Sequence, residues 1–155
     1  MGTSTSAGFV PLWVKSNGSF LEGASHPEEL VDRAAELGLD TLAIADRDSV
    51  NGLVRAWVRG KERGVRVICG AQVTVGDAPE VARRVVLLAE TREGYGRICR
   101  LLTVGHARRP KGESLVTGRE LAAAAADNVL LAPDAETLRA HAAAFDDRAY
   151  ALLTR

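Results

Sequence analysis

Three carboxylates in the amino-terminal part of the chain are the residues best placed to do chemistry. Asp46 and Asp48 directly follow Thr41–Ala45, a short apolar segment of the kind that forms strands buried on both faces. Together with Glu22, they could hold one divalent metal through oxygen ligands. We favour a structural role, in which Asp46 caps the next turn and pairs with a nearby cation, because the sequence offers few other ligands close by.

A second pair of positions raises the same question of metal binding. Trp13 and Lys15 stand two residues apart at the end of a predicted strand, so a regular strand would point both side chains to one face. Two histidines at this spacing commonly bind a metal, but neither an indole nor an ammonium is a metal ligand at neutral pH. The residues alone leave open whether a metal site was lost here or never existed.

Strands that alternate with helices would have to position these side chains. Apolar segments predict strands at residues 9–14, 41–45, 65–75, 85–89, 129–132 and 149–153. Helical periodicity predicts helices between them, among them 27–37 and 135–145. The alternation indicates an α/β fold with a largely parallel sheet, in which ligands and catalytic groups gather at the carboxyl ends of the strands.

Two helix starts carry recognisable signals. Ser25-His26-Pro27-Glu28 is predicted to be a capping box with proline in the first turn, and Gly38 is predicted to end that helix. Thr117 and Glu120 predict a second capping box, which opens an alanine-rich helix.

Length, charge and cysteine content narrow the class of protein. The chain has 155 residues, which suggests one domain, and its 20 basic and 20 acidic residues cancel, so no global field attracts nucleic acid or an anionic membrane. Residues 1–8 lack the features of a signal peptide and are predicted to be a flexible leader before a domain at 9–155. No apolar run is long enough to span a membrane. Cys69 and Cys99 form no CxxC pair and are predicted to be reduced, buried thiols of a cytoplasmic protein.

Several unusual segments resemble one known family. LWVKSNGSFLEGASHPEELVDRAAELGLDTLAIADRDSVNGLVRA, followed by ICGAQV and VVLLAETREGYGRICRLLT, is similar to the PHP domain, the polymerase-and-histidinol-phosphatase module. The likeness is greatest to the amino-terminal domain of bacterial C-family DNA polymerases (the polymerase III alpha subunit), especially the error-prone branch. It implies a distorted β/α barrel, incomplete at this length. For a longer parent protein it implies DNA polymerisation in replication and translesion synthesis.

The same resemblance implies that the family's metal site is degenerate here. Metal-binding members carry His-x-His-Ser, Thr-Asp-His and Gly-x-Glu motifs, and further ligands elsewhere. The corresponding positions in this chain are Trp13, Lys15, Glu22, Asp46, Arg47, Gln72 and Arg84. Arginine has no lone pair to donate, and a cation beside a divalent ion repels it, so we expect neither a metal, nor another cofactor, nor a catalytic residue in this chain. Lys15 and Arg47 are expected to pair with Glu22, Asp46 or Asp48 instead.

Three functions follow as alternatives. The first is a catalytically degenerate PHP domain that acts as a structural and interaction module, contacting the polymerase body or other replication and lesion-bypass proteins. Uncovered strand edges of an unfinished barrel would also favour self-association. The second is a metal-dependent phosphoesterase with a reduced site at Glu22, Asp46 and Asp48. The third is an anion-binding or DNA-end-binding module, in which Lys15, Arg47 and Arg84 converge on one phosphate.

Two other features are weaker indications of anion or DNA binding. The polar turn Ser16–Ser19 could cradle a phosphate with its backbone amides. A basic patch could contact a DNA backbone, although a solvated loop explains it equally well and no aromatic residues are interleaved for base stacking. The residues of that patch are Arg97, Arg100, Arg108, Arg109 and Lys111.

Overall fold

A five-stranded sheet with strand order β1-β2-β3-β4-β5 organises the chain in the computed structural model, which describes residues 8–153. The strands are β1 (Thr41–Arg47), β2 (Arg66–Val75), β3 (Arg83–Ala89), β4 (Asn128–Ala132) and β5 (Ala149–Ala151). The helices are α1 (Pro27–Glu36), α2 (Leu53–Arg63), α3 (Arg92–Ala107), α4 (Gly118–Ala123) and α5 (Ala135–Phe145). Short 3₁₀ turns lie at Pro79–Val81 and Asp146–Arg148.

The predicted α/β class with a largely parallel, incomplete barrel is confirmed, with one strand reversed. β1 and β2 are parallel, as are β4 and β5, whereas β3 is antiparallel to both of its neighbours. A parallel connection needs a crossover of about a dozen residues or more, and the short link between β2 and β3 is too brief for one. The sheet remains open.

The predicted strand at 9–14 is wrong. Only Val14 forms an isolated parallel bridge, to Ile44 of β1. The Val14 N–H donates to Ala43 O at 3.1 Å, and Pro11 O accepts from the Ala43 N–H at 2.8 Å. Proline has no N–H, so this segment cannot build a continuous ladder. It still runs beside β1 and carries Trp13 to the sheet.

Two predictions concern the ends of the chain, namely the last strand and the leader. β5 ends at Ala151, so the predicted strand 149–153 is two residues too long. The predicted leader at 1–8 falls, except for its last residue, outside the described residues.

The two faces of the sheet bury different side chains. All five helices pack on one face, where Ile44 of β1 lies against α1 and α2, and Leu87 of β3 lies against α3. The opposite face carries a smaller buried cluster that includes Ala45 and Val86, with Trp13 packed against it. Side chains alternate along a strand, so residues two positions away from Ala45 and Val86 lie on this same face. The sequence places Arg47 and Arg84 there.

The helix caps are largely as predicted, with one shift. The cap of α1 is His26 rather than Ser25, and the Glu29 carboxylate accepts the His26 N–H at 2.7 Å. The box therefore lies one residue later than predicted, because Pro27 occupies the first helical position. Gly38 follows the end of α1 with a φ of 71°. The capping box of Thr117 and Glu120 is confirmed, with Glu120 accepting the Thr117 N–H at 2.8 Å.

Over the described part of the chain, none of the helices has the length and apolar character required to cross a membrane. Cys69 and Cys99 are free thiols, and both are half-buried rather than fully buried. Burial raises the pKa of the Cys69 thiol.

Candidate functional site

A buried carboxylate at the end of β1 holds the preceding loop in place. Asp46 is only 1% exposed. Its Oδ1 accepts the Ser16 N–H at 2.7 Å and the Ser19 hydroxyl at 2.7 Å, and its Oδ2 accepts the Ser16 hydroxyl at 2.6 Å. The chain passes so close that a Cβ at Gly18 would lie 2.9 Å from Oδ2. Asp46 thus fastens the Ser16–Ser19 turn to the sheet.

The same turn places Glu22 among three cations. Lys15 Nζ contacts Glu22 Oε2, while Arg47 Nη1 and Arg84 Nη1 lie 2.5 and 3.1 Å from Glu22 Oε1. The Arg47 N–H also donates to the Ser19 hydroxyl at 2.9 Å, which ties this cluster to the Asp46 network. The Lys15 hydrogen bond and the charges of the three cations hold the pKa of the Glu22 carboxyl below its usual value. We call these four residues the Glu22 cluster.

Two side chains at the edge of the Glu22 cluster each have a buried polar atom without a hydrogen-bond partner among residues 8–153. Lys15 Nζ lies 4.9 Å from the centre of the Trp13 ring, a cation–π contact, but Trp13 Nε1 finds no partner among residues 8–153. The Gln72 side-chain oxygen is likewise buried without a described hydrogen-bond partner. Within a protein interior each such atom costs free energy.

Asp48 serves a different partner from Asp46. Its carboxylate accepts the N–H and the hydroxyl of Thr74 at 2.8 and 2.7 Å, which joins the β1 end to β2. Burial raises the pKa of the Asp48 carboxyl above its usual value. Asp48 also has a positive φ of 48°, a conformation that aspartate tolerates better than most residues.

The residues present do not fit a divalent metal centre. The three carboxylates that the sequence grouped together are each engaged elsewhere: Asp46 with Ser16 and Ser19, Asp48 with Thr74, and Glu22 with cations. Within residues 8–153, no three side chains among histidine, cysteine, aspartate and glutamate are grouped so that they could hold a metal ion. Neither Lys15 nor Arg47 can replace a missing ligand, because both are protonated donors.

The structure also corrects two expectations about these residues. Asp46 pairs with serine groups rather than with Lys15 or Arg47. The Ser16 N–H points at Asp46, so this turn does not offer that amide to a phosphate. The serines of the turn were the residues that sequence reasoning undervalued, since nothing local indicates a partner thirty positions away.

The predicted basic patch is partly neutralised by acids. Arg108 pairs with Glu120 at 2.7 Å, and Arg97 lies 3.6 Å from Asp127. Among the histidines, His106 has both ring nitrogens near carbonyl oxygens: Nδ1 lies 2.9 Å from Glu113 O, and Nε2 lies 2.7 Å from Asp48 O. His106 therefore links the end of α3 to two loops.

Comparison with known proteins gives consistent matches. A family model described as PHP domain matches residues 12–146. Three relatives named "Error-prone DNA polymerase" are similar to the chain. The one from Bordetella parapertussis is 46% identical over 127 residues, which is 80% of this chain and 12% of the relative. The one from Anaeromyxobacter sp. is 54% identical over 99 residues, which is 63% of this chain and 9% of the relative. The one from Rhodopirellula baltica is 46% identical over 114 residues, which is 74% of this chain and 10% of the relative. The chain thus spans between 9% and 12% of the length of these relatives.

Two solved structures are also similar. A protein described as a metal-dependent phosphoesterase from Bifidobacterium adolescentis matches with a TM-score of 0.67 at 17% identity, covering 87% of this chain and 74% of that one. At 17% identity, this match shows similarity of fold alone. An amidohydrolase from Chromobacterium violaceum, solved with bound sulfate and no metal, matches with a TM-score of 0.52 at 26% identity. The match covers 63% of this chain and 33% of that one.

Proposed function

The chain belongs to the PHP domain family, and from that premise we propose that it is a catalytically degenerate PHP domain. In this proposal it serves as a structural and interaction module of an error-prone DNA polymerase III alpha-like protein. The observation that carries the proposal is the Glu22 cluster, in which Lys15, Arg47 and Arg84 all contact one carboxylate.

Electrostatics supports the loss of metal chemistry at this point. A divalent ion brought to the Glu22 cluster would approach three positive side chains, and their repulsion grows as water is excluded. It would gain one carboxylate that already has three partners. The alternative of a reduced phosphoesterase site at Glu22, Asp46 and Asp48 is less well supported, because the three carboxylates bind different groups.

The partner that best suits this module is the rest of a polymerase. Relatives similar to the chain are about seven times as long and carry the name of a DNA polymerase. We therefore propose the polymerase body as the contact, with functions in DNA replication and lesion bypass and a cytoplasmic location. Contacts with other replication proteins, or between copies of the chain through the open sheet edges, remain secondary proposals.

Metal content tests the proposal directly. The protein is purified without chelator, soaked in manganese and zinc, desalted and analysed by inductively coupled plasma mass spectrometry. We expect less than about a tenth of an equivalent of metal, because a site needs deprotonated ligands that this cluster lacks. The positive control is the variant W13H/K15H/R47H/Q72E, which supplies imidazole and carboxylate ligands at the same positions. A stoichiometric metal in the unmodified protein would overturn degeneracy.

An anion-binding function is a second candidate. Three cations converge on one carboxylate, so the local charge stays positive, and a structural neighbour was solved with sulfate and without metal. In this candidate, a phosphate displaces Glu22 from Lys15, Arg47 and Arg84. Titration calorimetry with inorganic phosphate at low salt should then show tighter binding in Glu22→Gln and weaker binding in Arg47→Ala. Equal binding by Arg47→Ala and by the surface control Arg139→Ala would rule the candidate out.

A further inference from the structure

A cleft between α2 and α3 lies away from the Glu22 cluster. Its volume is about 580 Å³, and its floor is the first part of β2. The strand register puts Arg66 opposite Thr41, at the start of β1, whereas Arg47 pairs with Gln72 at the other end. The cleft also opens on the helix-bearing face of the sheet, whereas Arg47 and Arg84 lie on the opposite face. It is therefore separated from the Glu22 cluster both along the strands and across the sheet.

The walls and floor of the cleft are apolar and aromatic. Val67 and Cys69 form the floor and are only partly buried, in contrast to the buried residues 70–73 that follow them in β2. Tyr95 of α3 lies on one side and Trp57 of α2 on the other, with Trp57 47% exposed. Lys61 Nζ lies 3.6 Å from the centre of the Trp57 ring. Aromatic side chains with exposed surface of this kind offer stacking to a flat ring.

The mouth of the cleft is positively charged. Arg66 and Arg92 line it, and neither forms an ion pair within residues 8–153. The acid at the same mouth, Glu90, is 3.4 Å from Arg148, which neutralises it. Arg59 on α2 differs from these two arginines, because it is paired with Asp32 at 2.9 Å. The two unpaired guanidinium groups therefore mark this end of the cleft as suited to an anion.

We infer that this cleft binds a small ligand with a flat aromatic body and one anionic group, the class that includes nucleoside monophosphates and aromatic carboxylates. The aromatic body lies between Trp57 and Tyr95 over the apolar floor, and the anion meets Arg66 and Arg92. The volume falls within the range of about 300–1,000 Å³ typical of small-molecule sites. This inference does not depend on the degenerate metal site.

The two tryptophans provide a readout for the test. Trp57 lies in the cleft and Trp13 beside the Glu22 cluster, and the chain has no other tryptophan. Protein labelled with nitrogen-15 is titrated with adenosine monophosphate in one arm and 2-naphthoate in the other. The two indole N–H signals are followed by two-dimensional NMR, and Trp57→Phe assigns them.

We expect the Trp57 signal to shift and saturate, while the Trp13 signal stays in place. Arg66→Gln should weaken the affinity about tenfold, the usual effect of removing one charge-assisted contact. The matched control, Arg139→Gln on α5, should leave it unchanged. The Arg66 backbone N–H bonds to Asp40 O at 2.7 Å and is kept in the variant, so the strand should still form.

Each outcome decides the matter. Binding of adenosine monophosphate alone supports the inference and identifies a nucleotide site, whereas binding of both probes supports it as a site for a ring and a charge. Naphthoate binding alone supports it and indicates a carboxylate ligand. A shift of Trp13 only, no shift at millimolar probe, or equal affinities for the Arg66 and Arg139 variants would overturn it. None of these results bears on the metal content that tests the proposed function.

Discussion

Replacement of Asp46 by alanine should remove the anchor that holds the Ser16–Ser19 turn on β1. The carboxylate receives three hydrogen bonds and is almost completely buried. A buried donor left without a partner costs about 1–3 kcal/mol. The two serine hydroxyls can rotate toward other acceptors and are assigned about 1 kcal/mol each, whereas the fixed Ser16 N–H is assigned about 2 kcal/mol. The expected loss is therefore about 4 kcal/mol, a large part of the total stability of a domain.

Urea denaturation followed by circular dichroism measures this loss. Asp46→Asn keeps an oxygen for the Ser16 N–H and should lose only about 1–2 kcal/mol, since the amide replaces the charged acceptor without removing the fixed bond. Asp77→Ala serves as the control for a surface aspartate, because Asp77 is exposed and forms no ion pair in the described chain. If Asp46→Ala unfolds at the same urea concentration as Asp77→Ala, the reasoning about the turn is wrong.

Three further predictions concern stability. The lowered pKa of Glu22 means that its ion pairs stabilise the fold above its usual pKa of 4.5 and lose this effect as pH falls through the lower folded value. The unfolding free energies of the protein and of Glu22→Gln should therefore converge in acid, and a gap that widens there would contradict the cluster. The raised pKa of Asp48 has the opposite sign, so its ionisation costs folded-state stability as pH rises above 3.8. Asp48→Asn should gain stability relative to the unmodified protein over that rise, measured by urea titration at several pH values, and a relative loss would refute the assignment to burial. Thr117→Ala removes the capping oxygen of α4 and should cost about 1 kcal/mol, visible as a lower thermal midpoint, and no change would mean that the cap is dispensable.

Local signals in the sequence were enough to predict most of the elements. The apolar segment at 41–45 and the capping box at Thr117 correspond to β1 and α4 because each signal is contained within a few neighbouring residues. The prediction of a strand at 9–14 was wrong for a reason that is visible in the sequence, because Pro11 has no backbone N–H to donate. The reversal of β3 follows from the link between β2 and β3, which is too short for a parallel crossover. The predicted strand bounds already contained that signal, but the prediction of a largely parallel sheet did not use it.

The candidate site was predicted in its members but not in its pairings. Sequence reasoning identified Glu22, Lys15, Arg47 and Arg84, and the structure brings all four together. It could not choose between Glu22 and Asp46 as the partner of the cations, because Glu22 is nearer to Lys15 along the chain whereas Asp46 is adjacent to Arg47. The choice is made by strand alternation: Asp46 points to the helix face with Ile44, and Arg47 points to the other.

The order of the strands has a consequence for how the chain folds. Each strand pairs with the strand that follows it in the sequence, so β1 can pair as soon as β2 has been made. Contacts between nearby segments form quickly, because closing a short loop costs less entropy than closing a long one. We therefore expect the sheet to assemble in sequence order during synthesis at the ribosome, one strand after another, beginning with the β1–α2–β2 unit. A chain built in this way exposes a single growing edge at any moment rather than several unpaired strands at once.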